Sequence, residues 1–272
     1  MPIARFKMKV IIISATSDIG TEMCLHWKKK GWEVSGTYYS QADNYKKLNQ
    51  EKIPLFSCNL LDEESIDQTA SLLGSHIQKW NLLIFAPGSQ IPVGSFDKVN
   101  INEWSSSVHL NFLNQMRMLH RLLPFKDPNS KEKTVLFFAG GGTNNAVINY
   151  SAYTVSKIAL IKMCELLDAE IPDVKFSIIG PGWVKTKIHN ATLKAGGDWA
   201  GDNFEKTQLK LNSNECVPIQ KVIDSFEWVI SQPKKIVSGR NFSTVFDEWG
   251  SEKLVRQLAD NKDMYKLRRF GN

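Results

Sequence analysis

Residues 9–20 read K-V-I-I-I-S-A-T-S-D-I-G, and this stretch decides the fold. Val10 to Ile13 form an unbroken β-branched run, which suits a strand buried on both faces. The small residues from Ser14 to Asp18 then turn the chain into a helical pattern over 19–29. The same rhythm continues downstream. Further strands are expected over 33–38, 55–58, 82–86, 134–139 and 175–179, with helical patterns near 63–73, 102–123 and 152–169. Strands alternating with helices imply βαβ crossovers, hence an α/β fold with a doubly wound, mostly parallel sheet and helices on both faces. Such sheets bind ligands beyond the carboxyl ends of their strands.

The chain has 272 residues, 42% of them hydrophobic and eight of them tryptophan, enough for one well-filled core. Without repeats, low-complexity tracts or a Pro/Gly/Ser linker, residues 1–272 are expected to form a single domain. The net charge of +6 is read as a basic but ordinary surface, so neither nucleic acid nor membrane is an expected partner. The run Lys28-Lys29-Lys30 stands where a helix should end, and there cations complement the dipole. No segment resembles a signal peptide or approaches ~18 consecutive apolar residues. Cys24, Cys58, Cys164 and Cys216 lie far apart, which points to free thiols, a cytoplasmic setting and no metal. Segment 185–218 is long and polar, with Gly196-Gly197, Trp199 and Phe204. A loop of that kind is expected to be a substrate lid with an aromatic wall, the alternative being a disordered insertion. Residues 250–272 are expected to form a C-terminal extension.

The turn after the first strand should offer free N–H groups and a positive dipole end to a pyrophosphate. Ser14, Thr16, Ser17, Asp18, Ile19 and Gly20 are therefore candidate cofactor-binding residues. A dinucleotide fold normally places an acid ~20 residues past such a turn, for the NAD ribose. Here Tyr38 and Tyr39 stand at the end of the second strand, with Lys46 and Lys47 close behind, which favours NADP while leaving NAD possible. Further on, Tyr153-Thr154-Val155-Ser156-Lys157 places a phenol and an amine on one helix face. A nearby ammonium stabilises phenolate, so the tyrosine pKa is expected to fall from ~10 towards neutrality, as suits a general acid–base. The five histidines (His26, His76, His109, His120, His189) are read as structural.

Together with Asn111 in His109-Leu110-Asn111-Phe112 and with Pro181-Gly182-Trp183-Val184-Lys185-Thr186, these motifs resemble the short-chain dehydrogenase/reductase family over residues 9 to 247. The resemblance implies a Rossmann-like fold and a nicotinamide cofactor. It places Asn59 and Leu60 beside the adenine, and Ala86, Pro87 and Gly88 along the cofactor after the fourth strand. Pro181, Gly182, Val184 and Thr186 would lie at the nicotinamide. Tyr153 would transfer the proton, Lys157 would hold the ribose and tune Tyr153, and Asn111 would hold a relay water at a helix kink. It also implies a homodimer or homotetramer; Leu110, Leu113, Met116 and Leu119 form a stripe broad enough to serve as the interface, the alternative being that the stripe only packs on the sheet.

Two departures stand out. Of the family's three loop glycines the chain keeps Gly20, with Ser14 and Asp18 at the others. The family's catalytic serine precedes the tyrosine by thirteen residues, and Gly140 stands there; Thr143 or a backbone N–H would have to hold the substrate carbonyl. The expected reaction is NAD(P)-dependent interconversion of a small-molecule carbonyl and alcohol. Ser238-Gly239-Arg240 and the tail 263–269 look like those of reductases from bacterial surface-polysaccharide loci, implying a sugar or nucleotide-sugar substrate. A 3-oxoacyl or small-ketone reductase is the enzyme alternative, and a catalytically silent NADP-binding scaffold or sensor the other.

Overall fold

The computed structural model describes residues 7–131 and 133–269. Its first half runs β1 (Lys9–Ile13), α1 (Asp18–Lys29), β2 (Glu33–Tyr38), α2 (Asp43–Gln50), β3 (Leu55–Ser57), α3 (Glu63–Ile77), β4 (Leu82–Phe85) and α4 (Ile101–Val108). A π-helical turn, His109–Leu113, leads into α5 (Asn114–Leu122), followed by β5 (Thr134–Phe138), α6 (Ser151–Glu170) and β6 (Lys175–Gly180). The remainder comprises α7 (Asn190–Ala200), α8 (Asp202–Asn212), α9 (Ile219–Ser231), α10 (Lys234–Val237), β7 (Arg240–Ser243) and α11 (Glu252–Asp260).

The strands form one sheet in the order β3-β2-β1-β4-β5-β6-β7, every neighbouring pair parallel. β1 shows why. Val10 and Ile12 enter one apolar cluster with Trp27, Phe226 and Phe242, whereas Ile11 and Ile13 enter the opposite one with Trp80, Phe85 and Phe137. Alternate residues of a strand point to opposite faces, so an apolar run has to be covered by helices on both sides. The strand order reverses between β1 and β4, and such a switch point opens a crevice at the carboxyl ends.

The helix expected over 102–123 is interrupted: α4 and α5 are joined by the π turn centred on Asn111. The stripe on it mostly faces inward. Leu119 is buried, Leu110 and Met116 pack against the core, and Leu113 alone of the four is exposed. Segment 185–218 is no irregular loop, since most of it forms α7 and α8. The β7 strand lies outside the strands expected from the sequence. Arg240 anchors it, donating to the carbonyls of Leu258, Asn261 and Met264 and so fastening the C-terminal segment to the sheet. Residues 270–272 of the expected extension lie outside the described residues. Among the described residues no helix is long and apolar enough to cross a membrane.

Candidate active site

Ser14 leaves β1 with φ +60°, a conformation that side chains other than glycine's rarely adopt. Its N–H donates to Thr37 Oγ1 at 2.8 Å and the N–H of Ala15 to the Thr37 carbonyl at 2.8 Å, lashing the turn to β2. Ser17 caps α1, its hydroxyl accepting from the Gly20 N–H at 3.1 Å. A β-carbon on Gly20 would stand 2.7 Å from both the Ser14 carbonyl and Ser17 Oγ, so glycine is required there. The first turn of a helix leaves N–H groups without intrahelical partners. Asp18 and Ile19 of that first turn, with Thr16 and Ser17 just before them, line a cleft of about 1320 Å³. Asp18 ties its neck, accepting from the Lys187 N–H at 2.7 Å and from Asn44 Nδ2 at 3.1 Å.

The cleft runs from this turn past Ala86, Pro87 and Gly88 to Thr143, Tyr153 and Lys157, with Pro181, Gly182, Val184 and Thr186 along its other side. Six expected cofactor residues fall outside its lining. Ser14 and Gly20 shape the turn, while Tyr38, Tyr39, Asn59 and Leu60 end β2 and follow β3. Tyr38 packs on Tyr45 and Tyr39 is exposed. Asn59 Oδ1 accepts from the Leu61 N–H at 3.0 Å, and the Leu60 carbonyl accepts from Asn114. Lys46 and Lys47 already face Asp43 and Glu22.

Tyr153 and Lys157 share one face of α6, with Lys157 Nζ 5.6 Å from the Tyr153 ring centroid. Burial dominates both. It pushes the Tyr153 phenol up to about 12 and brings the Lys157 ammonium down to about 7. The expected lowering of the Tyr153 pKa is therefore not found in this state: desolvation opposes phenolate, and a lysine inclined to be neutral supplies little positive charge. Lys157 Nζ donates to the Pro87 carbonyl at 3.4 Å. Asn111 is fully buried; its amide donates to the carbonyls of Ser89 and Ser107 and accepts from the Ser89 N–H at 2.9 Å. Its own carbonyl accepts from Gln115 Nε2 at 2.9 Å. Gly140 faces the Tyr153 ring, and Thr143 lies farther along the cleft wall.

Sequence reasoning missed several cleft residues. Tyr150 hydrogen-bonds Thr192 of α7 at 2.7 Å, and Thr192 reaches Gln90 at 3.3 Å. His189 also lines the cleft, stacked on Trp183 with ring centroids 3.9 Å apart. Its burial lowers its pKa, which favours the neutral imidazole expected of a structural histidine. Trp199 and Phe204 do not form the expected aromatic wall. Trp199 packs over Gly94, and Phe204 joins Val93, Tyr150 and Ala200 in a small separate cluster. From this segment the cleft receives Lys187, Asn190, Thr192, Lys194, Asn203 and Thr207. Gln115, buried behind the cleft, is four residues after Asn111 and so shares its helix face.

This architecture recurs in solved structures. A short-chain dehydrogenase/reductase from Saccharomyces cerevisiae superposes with a TM-score of 0.77 at 19% identity, covering 91% of this chain and 98% of that one. An actinorhodin polyketide ketoreductase solved with NADPH gives 0.72 at 16% identity, covering 87% and 95%. In sequence, a "Dehydrogenase/reductase SDR family protein 7-like" from Dictyostelium discoideum is 22% identical over 205 residues, 70% of this chain and 63% of that protein. The match thus spans less than two thirds of that relative's length. The model of the short chain dehydrogenase family matches residues 8–195, and the chain belongs to that family of oxidoreductases, which bind nicotinamide cofactors.

Proposed function

We propose that this protein reduces a small-molecule carbonyl, or oxidises the corresponding alcohol, with NADP(H) as cofactor. The observation that carries the reading is the continuity of one cleft from the open N-terminus of α1 to Tyr153 and Lys157. The residues present fit a nicotinamide dinucleotide: first-turn N–H groups suit its pyrophosphate, and Gly88 and Gly182 bring bare backbone to the wall beyond. When bound, the cofactor supplies or accepts hydride.

The chain's own residues supply the rest. Tyr153 gives its hydroxyl proton to the oxygen of the reduced carbonyl, or takes it in the reverse direction. Lys157 would hold the nicotinamide ribose hydroxyls beside Tyr153, and a bound anion would draw Lys157 towards its charged form and so ease phenolate formation. Asn111 fixes the loop after β4 by its bonds to Ser89. Thr143 stands in for the missing hydroxyl at position 140. Thr143 lines the cleft, and the loop 140–144 contains three glycines.

The absence of a carboxylate at Tyr38-Tyr39 supports NADP over NAD. Asn190, Thr192, Lys194, Asn203 and Thr207 at the substrate end suit a hydroxylated or anionic carbonyl compound, as a sugar or nucleotide-sugar would be, more than a bare hydrocarbon. The α7–α8 pair acts as the lid. Self-association draws on exposed Val155 and Leu166, which lie on one face of α6, together with Leu113. A cytoplasmic setting agrees with the four free cysteines.

The test is fluorescence titration with NADPH and NADH, followed by turnover on nucleotide-sugars, 3-oxoacyl thioesters and small ketones. NADPH binding at least several-fold tighter, with activity abolished in Tyr153→Phe and cut by ~10²-fold in Thr143→Val, is the expected result. Gly140 favours a second reading, a silent NADP-binding scaffold. Equal inertness of wild type and Tyr153→Phe, with both binding NADPH, would select it.

A further inference from the structure

Ser17 already caps α1 through its hydroxyl, so the carboxylate of Asp18 at the next position is free for other partners. They come from two distant parts of the chain. Oδ1 accepts from Asn44 Nδ2 of α2 at 3.1 Å, and the same Asn44 amide donates to the Thr16 carbonyl at 3.0 Å. Oδ2 accepts from the backbone N–H of Lys187 at 2.7 Å, 169 residues away in sequence. Lys187 opens the short 3₁₀ turn Lys187–His189, and the first N–H groups of a helical turn have no partner within it. A carboxylate from the opposite wall supplies one. The Lys187 ammonium adds little, standing 3.8 Å from Oδ1 with most of its side chain in solvent.

Asp18 and Lys187 both line the cleft, one from α1 and the other from the segment after β6, so their hydrogen bond spans it. Gly88, Tyr153, Lys157 and Thr186 are within the lining, whereas Tyr38, Tyr39, Asn59 and Leu60 are not. Those four stand where a doubly wound fold meets the adenosine half of a dinucleotide. A ligand long enough to reach both groups has to pass this tie.

We propose that Asp18 is a gating residue for the dinucleotide: its bond to the Lys187 N–H closes the cleft across the pyrophosphate seat and has to break for the cofactor to enter or leave. The inference rests on the proposed nicotinamide cofactor, and it gives a role to a carboxylate where the family's loop has glycine. Beside a pyrophosphate a carboxylate on its own would repel the ligand. Here the donors that face Asp18, from Asn44 and from the backbone and ammonium of Lys187, offset its charge.

The test follows NADPH association and dissociation by stopped-flow fluorescence in the full chain, for wild type, Asp18→Gly and Lys187→Pro. Glycine removes the acceptor. Proline removes the donor and leaves Asp18 in place; it suits the first position of a helical turn and the extended backbone of Thr186 before it. Both variants should bind and release NADPH about tenfold faster, the scale of one hydrogen bond to a charged group, with the dissociation constant changed far less. Faster association with slower release in Asp18→Gly, and wild-type rates in Lys187→Pro, would reduce Asp18 to a repelling charge and overturn the gate. Faster release with unchanged association would make the tie a contact of the bound state alone and overturn it too, as would unchanged rates in both variants. If either variant does not fold, amide hydrogen exchange of wild type decides. A Lys187 N–H that exchanges slowly in the free protein, and more slowly with NADPH, supports the gate; exchange at the unprotected rate overturns it. A protein with a protected Lys187 N–H that binds neither NADPH nor NADH keeps the tie and loses both the proposed cofactor and the gate.

Discussion

The ring of Tyr153 occupies the space that a side chain at Gly140 would need. A β-carbon on Gly140 would stand 2.8 Å from Tyr153 Cε1, 3.0 Å from its hydroxyl oxygen and 3.0 Å from Lys157 Cγ. Glycine here does more than omit a hydroxyl, because it admits the phenol to the wall of the sheet. Gly140→Ser is therefore expected to displace Tyr153. Stability should fall by about 1–3 kcal/mol, as overpacking does, and activity should not improve. Thermal unfolding together with turnover of the best panel substrate would check this, and an unshifted Tm with a faster enzyme would contradict it.

Ser14→Gly should act the other way. Ser14 adopts φ +60°, and its N–H bond to Thr37 does not depend on its side chain. Glycine relieves a backbone penalty of about 1 kcal/mol at such a position, so a higher denaturation midpoint is expected, with NADPH affinity kept or improved. A lower midpoint would mean that the serine hydroxyl has a partner role in the turn.

Lys157 and Tyr153 should leave a signature in the pH dependence of stability. The Lys157 pKa is depressed to about 7, so above that pH the unfolded chain holds the proton that the native state has released. Stability from this group therefore rises with pH from about 7 to the unfolded lysine value. The Tyr153 pKa is raised to about 12, so its contribution is lost as pH climbs from the unfolded tyrosine value towards 12. Denaturant midpoints for wild type and Lys157→Met, measured at pH 6, 7, 8 and 9, should converge as pH rises. The methionine variant should be the more stable below pH 7, by several kcal/mol at about 1.4 kcal/mol per unit of the lowered pKa, while binding NADPH more weakly. Parallel curves would rule out a buried neutral lysine.

The proposed closure of the α7–α8 pair should centre on Gly196, which breaks α7 with φ +73° and ψ 179°. Limited proteolysis near residues 196–201 should slow several-fold when NADPH and a substrate are both present, since the α7–α8 pair carries Thr192, Lys194 and Asn203 to the cleft. Unchanged cleavage would leave this segment as a fixed wall.

What the sequence determined by itself was whatever depends on neighbours along the chain. The run Val10 to Ile13 is apolar on both strand faces, so a covered parallel sheet follows from it. Tyr153 and Lys157 are four residues apart, so a shared helix face follows from their spacing. The tertiary structure decided the rest. β7 reads weakly because Arg240 has no apolar pattern; carbonyls from α11 and the segment after it make that position buried and satisfied. The polar segment after Lys185 became helical with its aromatics turned away from the cleft, because Gly94 and the Val93–Tyr150 cluster receive Trp199 and Phe204. Spacing placed an ammonium beside a phenol and implied an acidic tyrosine. Packing of the surrounding elements removed both groups from water, and desolvation, which no local motif encodes, set the proton on Tyr153 and loosened it from Lys157.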